Sequence, residues 1–232
     1  MWGSVLTRTY VLTAARCVTG ASEGVAVFGA HHFNAEDSAM QIANFSASGV
    51  IVHLEYNPDN LLNDMATIRL NNAITYTKRV RSIRLPAPGD QRSFAGLDGT
   101  IAGFGATENQ DPSELLRYMS ESILTSATCV EQWENSYISE QHICLSGNNS
   151  RSVCNNDIGG PLTITENGEA LQVGIAFFAG PNCTGRPSVY ARFTHFLPWI
   201  KANSDYGSGG IRSAVLNSMF FLLFSCFVVS LK

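Results

Sequence analysis

The chain has 232 residues, of which only 15% are charged, so its chemistry has to be sought among few side chains. Six cysteines stand at 17, 129, 144, 154, 183 and 226, and sequence alone permits fifteen full pairings of six. None of them shows the CxxC spacing of a structural zinc site, so no metal is expected. His31 and His32 read as solvated loop residues, and His53 lies in a strand-like run. Sequons of the Asn-x-Ser/Thr type begin at Asn44, Asn148 and Asn182, which suits a glycoprotein on an extracellular route.

Three segments hold the remaining candidates, in this order: Val11-Leu-Thr-Ala-Ala-Arg-Cys17, Asn63-Asp-Met-Ala-Thr-Ile-Arg-Leu70 and Cys154-Asn-Asn-Asp-Ile-Gly-Gly-Pro-Leu162. They resemble the VLTAAHC, NDIALIRL and GDSGGPL segments of the chymotrypsin-like serine proteases. Gly103-Phe-Gly105, Arg186-Pro-Ser-Val-Tyr-Ala-Arg192 and Pro198-Trp-Ile200 support the same resemblance. It covers roughly residues 3–204, and Ile51-Val-His-Leu-Glu-Tyr-Asn-Pro58 looks most like insect digestive chymotrypsins and brachyurins.

The resemblance implies a peptidase, but the residues that would do the chemistry have changed. Peptide hydrolysis by this route needs a hydroxyl nucleophile, a neutral imidazole to take its proton, and a carboxylate to orient that imidazole. Where the family has its serine this chain has Ile158, a hydrocarbon, and where the family has its histidine it has Arg16. A guanidinium has no acceptor lone pair and stays protonated, so it cannot serve as a base. Asp64 remains without an imidazole to orient, and is expected to pair with Arg16 instead. His53 matches a position that is often a structural histidine in the family, so it is not read as a substitute base. Asn156 replaces the glycine whose N–H is half of the oxyanion hole. Asp157 occupies the position of the aspartate that receives the new N-terminus on activation.

The same carry-over places Ser152 at the floor of the specificity pocket, Phe177, Phe178 and Ala179 along its wall, and Ser188 at a second pocket position. The cleft is therefore expected to be narrowed and apolar, with the two phenylalanines as packed wall. The resemblance also implies disulfides Cys129–Cys144 and Cys154–Cys183, leaves Cys17 and Cys226 over, and implies no cofactor. Ser4 and Val5 match the strand just before the first motif, so the family's first barrel strand has no counterpart and the N-terminus is expected to be incomplete. No signal peptide is read at the start: Arg8 comes early, and no apolar core with a small-residue cleavage site follows.

The elements that must position these residues are short. Runs such as Val25–Phe28, Gly49–His53 and Thr100–Gly103, bounded by Gly, Asn, Asp, Ser and Pro, favour an all-β architecture. With the resemblance this becomes two six-stranded antiparallel β-barrels, the first lacking its N-terminal strand, plus a C-terminal helix. The peptidase-like domain spans 1–204, with lobes at about 1–85 and 99–192 joined by the Pro- and Gly-rich connector Leu85–Leu97. Helical spacing appears at Thr125–Tyr137, with Ser126 as a candidate N-cap, and over 193–204, where Phe193, Phe196, Leu197 and Ile200 share a face.

Residues 205–232 read as a Gly/Ser-containing spacer and a hydrophobic C-terminal tail. Ser208-Gly209-Gly210, the spacer Ile211–Ser218 and the apolar end Met219–Leu231 come in the order of a glycosylphosphatidylinositol signal. A single membrane span and a plain apolar extension fit the same residues. A net charge of -4 with no Lys/Arg cluster gives no reason to expect nucleic acid. These features lead to an extracellular protein, secreted or anchored at the cell surface. It is expected to be a non-catalytic homologue that engages a protease, an inhibitor or a substrate, the alternative being a serine endopeptidase of chymotrypsin-like specificity.

Overall fold

Alternation of apolar and polar residues produces strands that close into two barrels. The computed structural model describes residues 1–32, 38–105, 113–134, 138–147, 153–154, 157–180, 183, 185–207 and 226–231. The first sheet is built from β1 (Trp2–Val5), β2 (Tyr10–Thr13), β3 (Glu23–Phe28), β4 (Gln41–Ser46), β5 (Val50–Val52) and β6 (Ala66–Arg69). The second contains β7 (Asp98–Gly103), β8 (Arg117–Ser122), β9 (His142–Leu145), β10 (Pro161–Glu166), β11 (Glu169–Phe178) and β12 (Ser188–Arg192). Among the described residues the helices are α1 (Ala15–Val18), α2 (Ser126–Gln132) and α3 (Phe193–Ala202), and β13 (Cys226–Leu231) joins the first sheet.

The order of the first sheet is β4-β3-β13-β1-β2-β6-β5. Its two outer strands, β4 and β5, are consecutive in the chain, linked by the 3-10 turn Ala47–Gly49, so the sheet must curl until its ends meet. A hydrogen bond from Asn71 N to Asn44 O (2.8 Å) helps to seal that seam. The second sheet runs β8-β7-β10-β11-β12-β9. Its edges meet where Leu124 N donates to Cys144 O (2.9 Å) and Ser146 N to Ser122 O (2.9 Å). Closure leaves neither sheet with a long open edge.

Each barrel has its own core. Leu12, Phe28, Phe45, Met65 and Ile68 fill the first, and Phe193, Phe196, Leu197 and Ile200 of α3 close it. Ile101, Leu145, Leu162, Val173 and Tyr190 fill the second. The connector between lobes is anchored: Phe94, at a left-handed φ of 59°, is buried in the second core. Both expected helices form, α2 within the span read as Thr125–Tyr137 and α3 over nearly the whole of its own. At α2 the capping side chain is Thr125, which accepts from Thr128 N (3.1 Å), one residue before the expected Ser126.

The sequence reading put residues 226–231 in an apolar tail outside the domain. Here they form a strand between β1 and β3. An uncharged, β-branched run satisfies unpaired backbone edges as readily as it suits a membrane. Residues 208–225 lie outside the described part. Among the described residues no helix is long and apolar enough to cross a membrane.

Candidate functional site

Arg16 sits on α1, a single turn whose N-cap, Ala14, offers no side-chain acceptor. The first-turn N–H groups of a helix have no intrahelical partner, and Asp64 supplies an acceptor from just before β6, the strand paired with β2. Its Oδ1 accepts from Arg16 N (2.8 Å) and its Oδ2 from Arg16 Nε (2.6 Å). The expected ion pair is therefore formed, with the carboxylate buried and the guanidinium about a quarter exposed. Burial pushes the Asp64 carboxyl above its ordinary value, opposed by the Arg16 charge and the hydrogen bonds from Arg16 and Ala15.

Local chain geometry aims Asp64 inward. The Asn57–Asn63 turn is held by Asn57 Oδ1 accepting from Asp59 N (2.9 Å) and Asn60 Oδ1 accepting from Leu62 N (3.1 Å). Asn63 takes a left-handed φ of 55° and donates through Nδ2 to Glu55 O (3.0 Å). Asparagine tolerates that conformation better than most residues.

Below Arg16 lies an aromatic stack. The guanidinium carbon stands 4.6 Å from the centroid of Phe177, whose other neighbours are His142 (5.1 Å, stacked) and Phe178 (4.7 Å, edge-on). Phe178 in turn meets Trp133 edge-on at 5.0 Å. His142 is buried, its Nδ1 accepts from Ser139 N (3.0 Å), and burial beside Arg192 lowers its pKa to about 4. Phe177 is buried in this cluster and Phe178 is half-buried against it. Ala179 is half-buried beside the second core, and Ser188 is fully buried with its hydroxyl 3.1 Å from Tyr190 OH. Ser152 and Asn156 lie outside the described residues.

Ile158 is half-buried against the first core. Its carbonyl accepts from Trp2 N (3.0 Å) and from the Cys17 thiol (3.7 Å), a group pushed up to about 11 by burial. The next residue, Gly159, has φ of 88°, and a Cβ there would strike Trp2 O and Thr13 Oγ1, so no other residue fits. Asp157 points into the protein, with Oδ1 accepting from Gly105 N (2.8 Å) and Oδ2 from Cys154 N (3.2 Å). Its carboxylate fills the space a side chain would need at Gly103 or Gly105. Burial raises its pKa to about 6. The disulfides Cys154–Cys183 and Cys129–Cys144 both form, flanking this segment and the aromatic wall.

The arrangement brings Arg16, Asp64 and Phe177 together, and its functional groups are donors, a saturated carboxylate and rings. Arg16 Nη2 is buried without a hydrogen-bond partner among the described residues. His53 lies apart from this stack, against Trp199 (5.1 Å) and Phe196 (5.9 Å) of α3. The sequence reading missed the contact between Arg16 and Phe177. Its signal was present as two simultaneous departures from the family pattern, a longer cation and a bulkier wall residue.

A family model described as trypsin matches residues 2–200. Brachyurin of Leptuca pugilator is 32% identical over 206 residues, covering 87% of this chain and 86% of that protein. Chymotrypsin of Phaedon cochleariae is 30% identical over 207 residues, covering 88% and 72%. Among solved structures, that of HL collagenase superposes with a TM-score of 0.77 at 27% identity, over 87% of this chain and 84% of that one.

Proposed function

Because this chain belongs to the trypsin family of chymotrypsin-like serine proteases, we propose that it is a non-catalytic member acting as an extracellular binding or regulatory protein. The observation that carries this reading is Arg16, locked to Asp64 at 2.6 Å and lying over Phe177. At the place where the family's chemistry needs a proton acceptor there is a permanent donor. Ile158 offers no hydroxyl, and an Arg16–Asp64 pair with the carboxylate taken up by Arg16 supplies neither a nucleophile nor a base to activate one. What remains is a protease-shaped surface with its cleft filled, suited to holding a protease, a protease inhibitor or a substrate without cutting it.

Two disulfides favour an oxidising, extracellular site of action. Asn44 is exposed on β4 and followed by Ser46, which leaves its sequon open to a glycan. The small-residue site at 208–210 and the apolar end fit a glycolipid anchor, but processing there would remove β13. Anchor signal and barrel strand are exclusive fates of one segment.

A second reading, serine endopeptidase, is favoured by the names of the relatives, chymotrypsin and brachyurin. The two separate on treatment of the folded full-length chain with a fluorophosphonate probe beside a chymotrypsin control. No labelling above a heat-denatured sample is expected. Saturable labelling that a small covalent serine-protease inhibitor prevents would establish the second reading. The binding role predicts that the chain relieves inhibition of chymotrypsin by a protein inhibitor; no relief across a panel of such inhibitors, and no protease bound directly, would refute it.

A further inference from the structure

The backbone of residues 226–231 lies antiparallel to a strand on each side. Against β3 it pairs through six residues, from Cys226 opposite Phe28 to Leu231 opposite Glu23. Against β1 it pairs at Phe227 opposite Trp2 and Cys226 opposite Gly3. We propose that the gap between β1 and β3 is a strand-acceptor site for an extended apolar peptide, filled by the chain's own residues 226–231. On this assignment the segment is a permanent strand of the mature barrel, neither a membrane tail nor a discarded anchor signal.

The sequence of the segment suits the role. Cys226-Phe-Val-Val-Ser-Leu231 has no charge, no proline and no glycine, with adjacent β-branched residues at its centre. Such residues fit a pleated, half-buried surface. Six residues span roughly 20 Å as a strand, close to the length that β3 presents. The acceptor demands an occupant. Every residue of β1 is buried, and β1 has β2 on its other side. β3 likewise has β4 on its far side. Among the described residues, withdrawing the strand would leave two inner edges with unpaired N–H and C=O groups, in a sheet that otherwise closes on itself. Strand addition to paired edges is an established mode of peptide recognition, with main-chain bonds giving affinity and alternate side chains giving selectivity.

Reach is no obstacle. The stretch from Gly207 to Cys226 extends up to about 60 Å when fully drawn out, more than the width of a domain this size. Occupancy also bears on the cleft. β1 holds the Ile158 carbonyl through Trp2 N (3.0 Å), and Trp2 O accepts from Thr13 Oγ1 (2.6 Å). A loosened β1 would release both bonds.

Hydrogen exchange on the full-length, secreted protein tests the assignment without touching the activity question. Amides of residues 226–231, 23–28 and 2–5 are expected to exchange at least about 100-fold slower than unstructured peptide. The Val229→Pro variant is expected to speed exchange in all three segments together, and a synthetic peptide of residues 224–232 to restore protection at 23–28. Intact mass is expected to include Lys232. Free exchange at 226–231 beside protected 23–28 in the unmodified chain would overturn the proposal, whether or not the variant folds. A mature C-terminus carrying ethanolamine at 208–210 would also overturn it. So would a dimer that disappears when residues 226–231 are removed, because the strand would then belong to a neighbour's barrel.

Discussion

Arg16 holds three contacts at once: a carboxylate at 2.6 Å, the same carboxylate through its own backbone N–H, and an aromatic face at 4.6 Å. The arrangement resembles a helix cap that has acquired a charge, and its energy lies mostly in what its loss would strand. Removing one partner of a buried pair leaves an uncompensated charge, at a cost of about 3–5 kcal/mol. The guanidinium is about a quarter exposed, and solvent screening lowers the expectation to about 2–3 kcal/mol. Arg16→Met keeps the stem over Phe177 and removes the charge, so urea unfolding at neutral pH should report that loss. Adding Asp64→Asn should recover about half of it, since a neutral amide still accepts from the helix N–H groups. If Arg16→Met proves neutral, the pair contributes nothing and packing on Phe177 holds the cleft. The pair itself was legible in the sequence, because both residues lie inside recognisable motifs. Phe177 beneath it was signalled only by the two departures taken together, since neither segment alone records a contact between lobes.

At the scale of elements, the strands and helices that carry motifs were readable, and the element without a motif was not. α3 announces itself by Phe193, Phe196, Leu197 and Ile200, all of which are buried. β13 could not be read as a strand, because an uncharged apolar run looks alike whether it pairs in a sheet or enters a membrane. The disulfide from α2 to β9 came from the resemblance, and its worth can be stated. Cys129–Cys144 closes a 15-residue step, for which loop entropy gives about 3 kcal/mol. The same two residues pack with Trp133, Phe177 and Val189, so the bridge fixes the wall beneath Arg16 as well as the helix. Replacing both cysteines by alanine should lower stability by about that amount while the barrels remain folded. Denaturant midpoints with and without the bridge, and near-ultraviolet circular dichroism of Trp133, measure the two effects. An unchanged midpoint would mean that the reduced chain is already ordered there by packing.

Two buried groups in different parts of the molecule give it opposed responses to pH. Asp157 has its pKa raised from 3.8 to about 6 by burial, so the fold favours its protonated form. The corresponding stability is fully present below about pH 4 and is lost as pH rises through 6. His142 has its pKa lowered from 6.5 to about 4, again by burial, so the fold favours its neutral form. Its contribution is fully present above about pH 6.5 and is lost as pH falls through 4. Each shift corresponds to about 3 kcal/mol between the limits, and over the shared window they nearly cancel. Asp64, also raised, acts in the same sense as Asp157, and His53, lowered by burial, acts in the same sense as His142. Asp90 and Glu166, lowered by hydrogen bonds from Arg92, begin to lose their contributions only as pH falls below their ordinary values of 3.8 and 4.5, at the acid end of that window. The unmodified chain should therefore show a shallow stability profile between pH 4 and 6.5. Asp157→Asn removes the falling limb and should leave stability rising by about 3 kcal/mol across the window. His142→Gln removes the rising limb and should leave stability falling by a similar amount. Urea unfolding at half-unit pH steps for the three proteins reads both slopes. If either variant keeps the shallow profile of the parent, the group it removes does not titrate in this window and the balance between them does not exist.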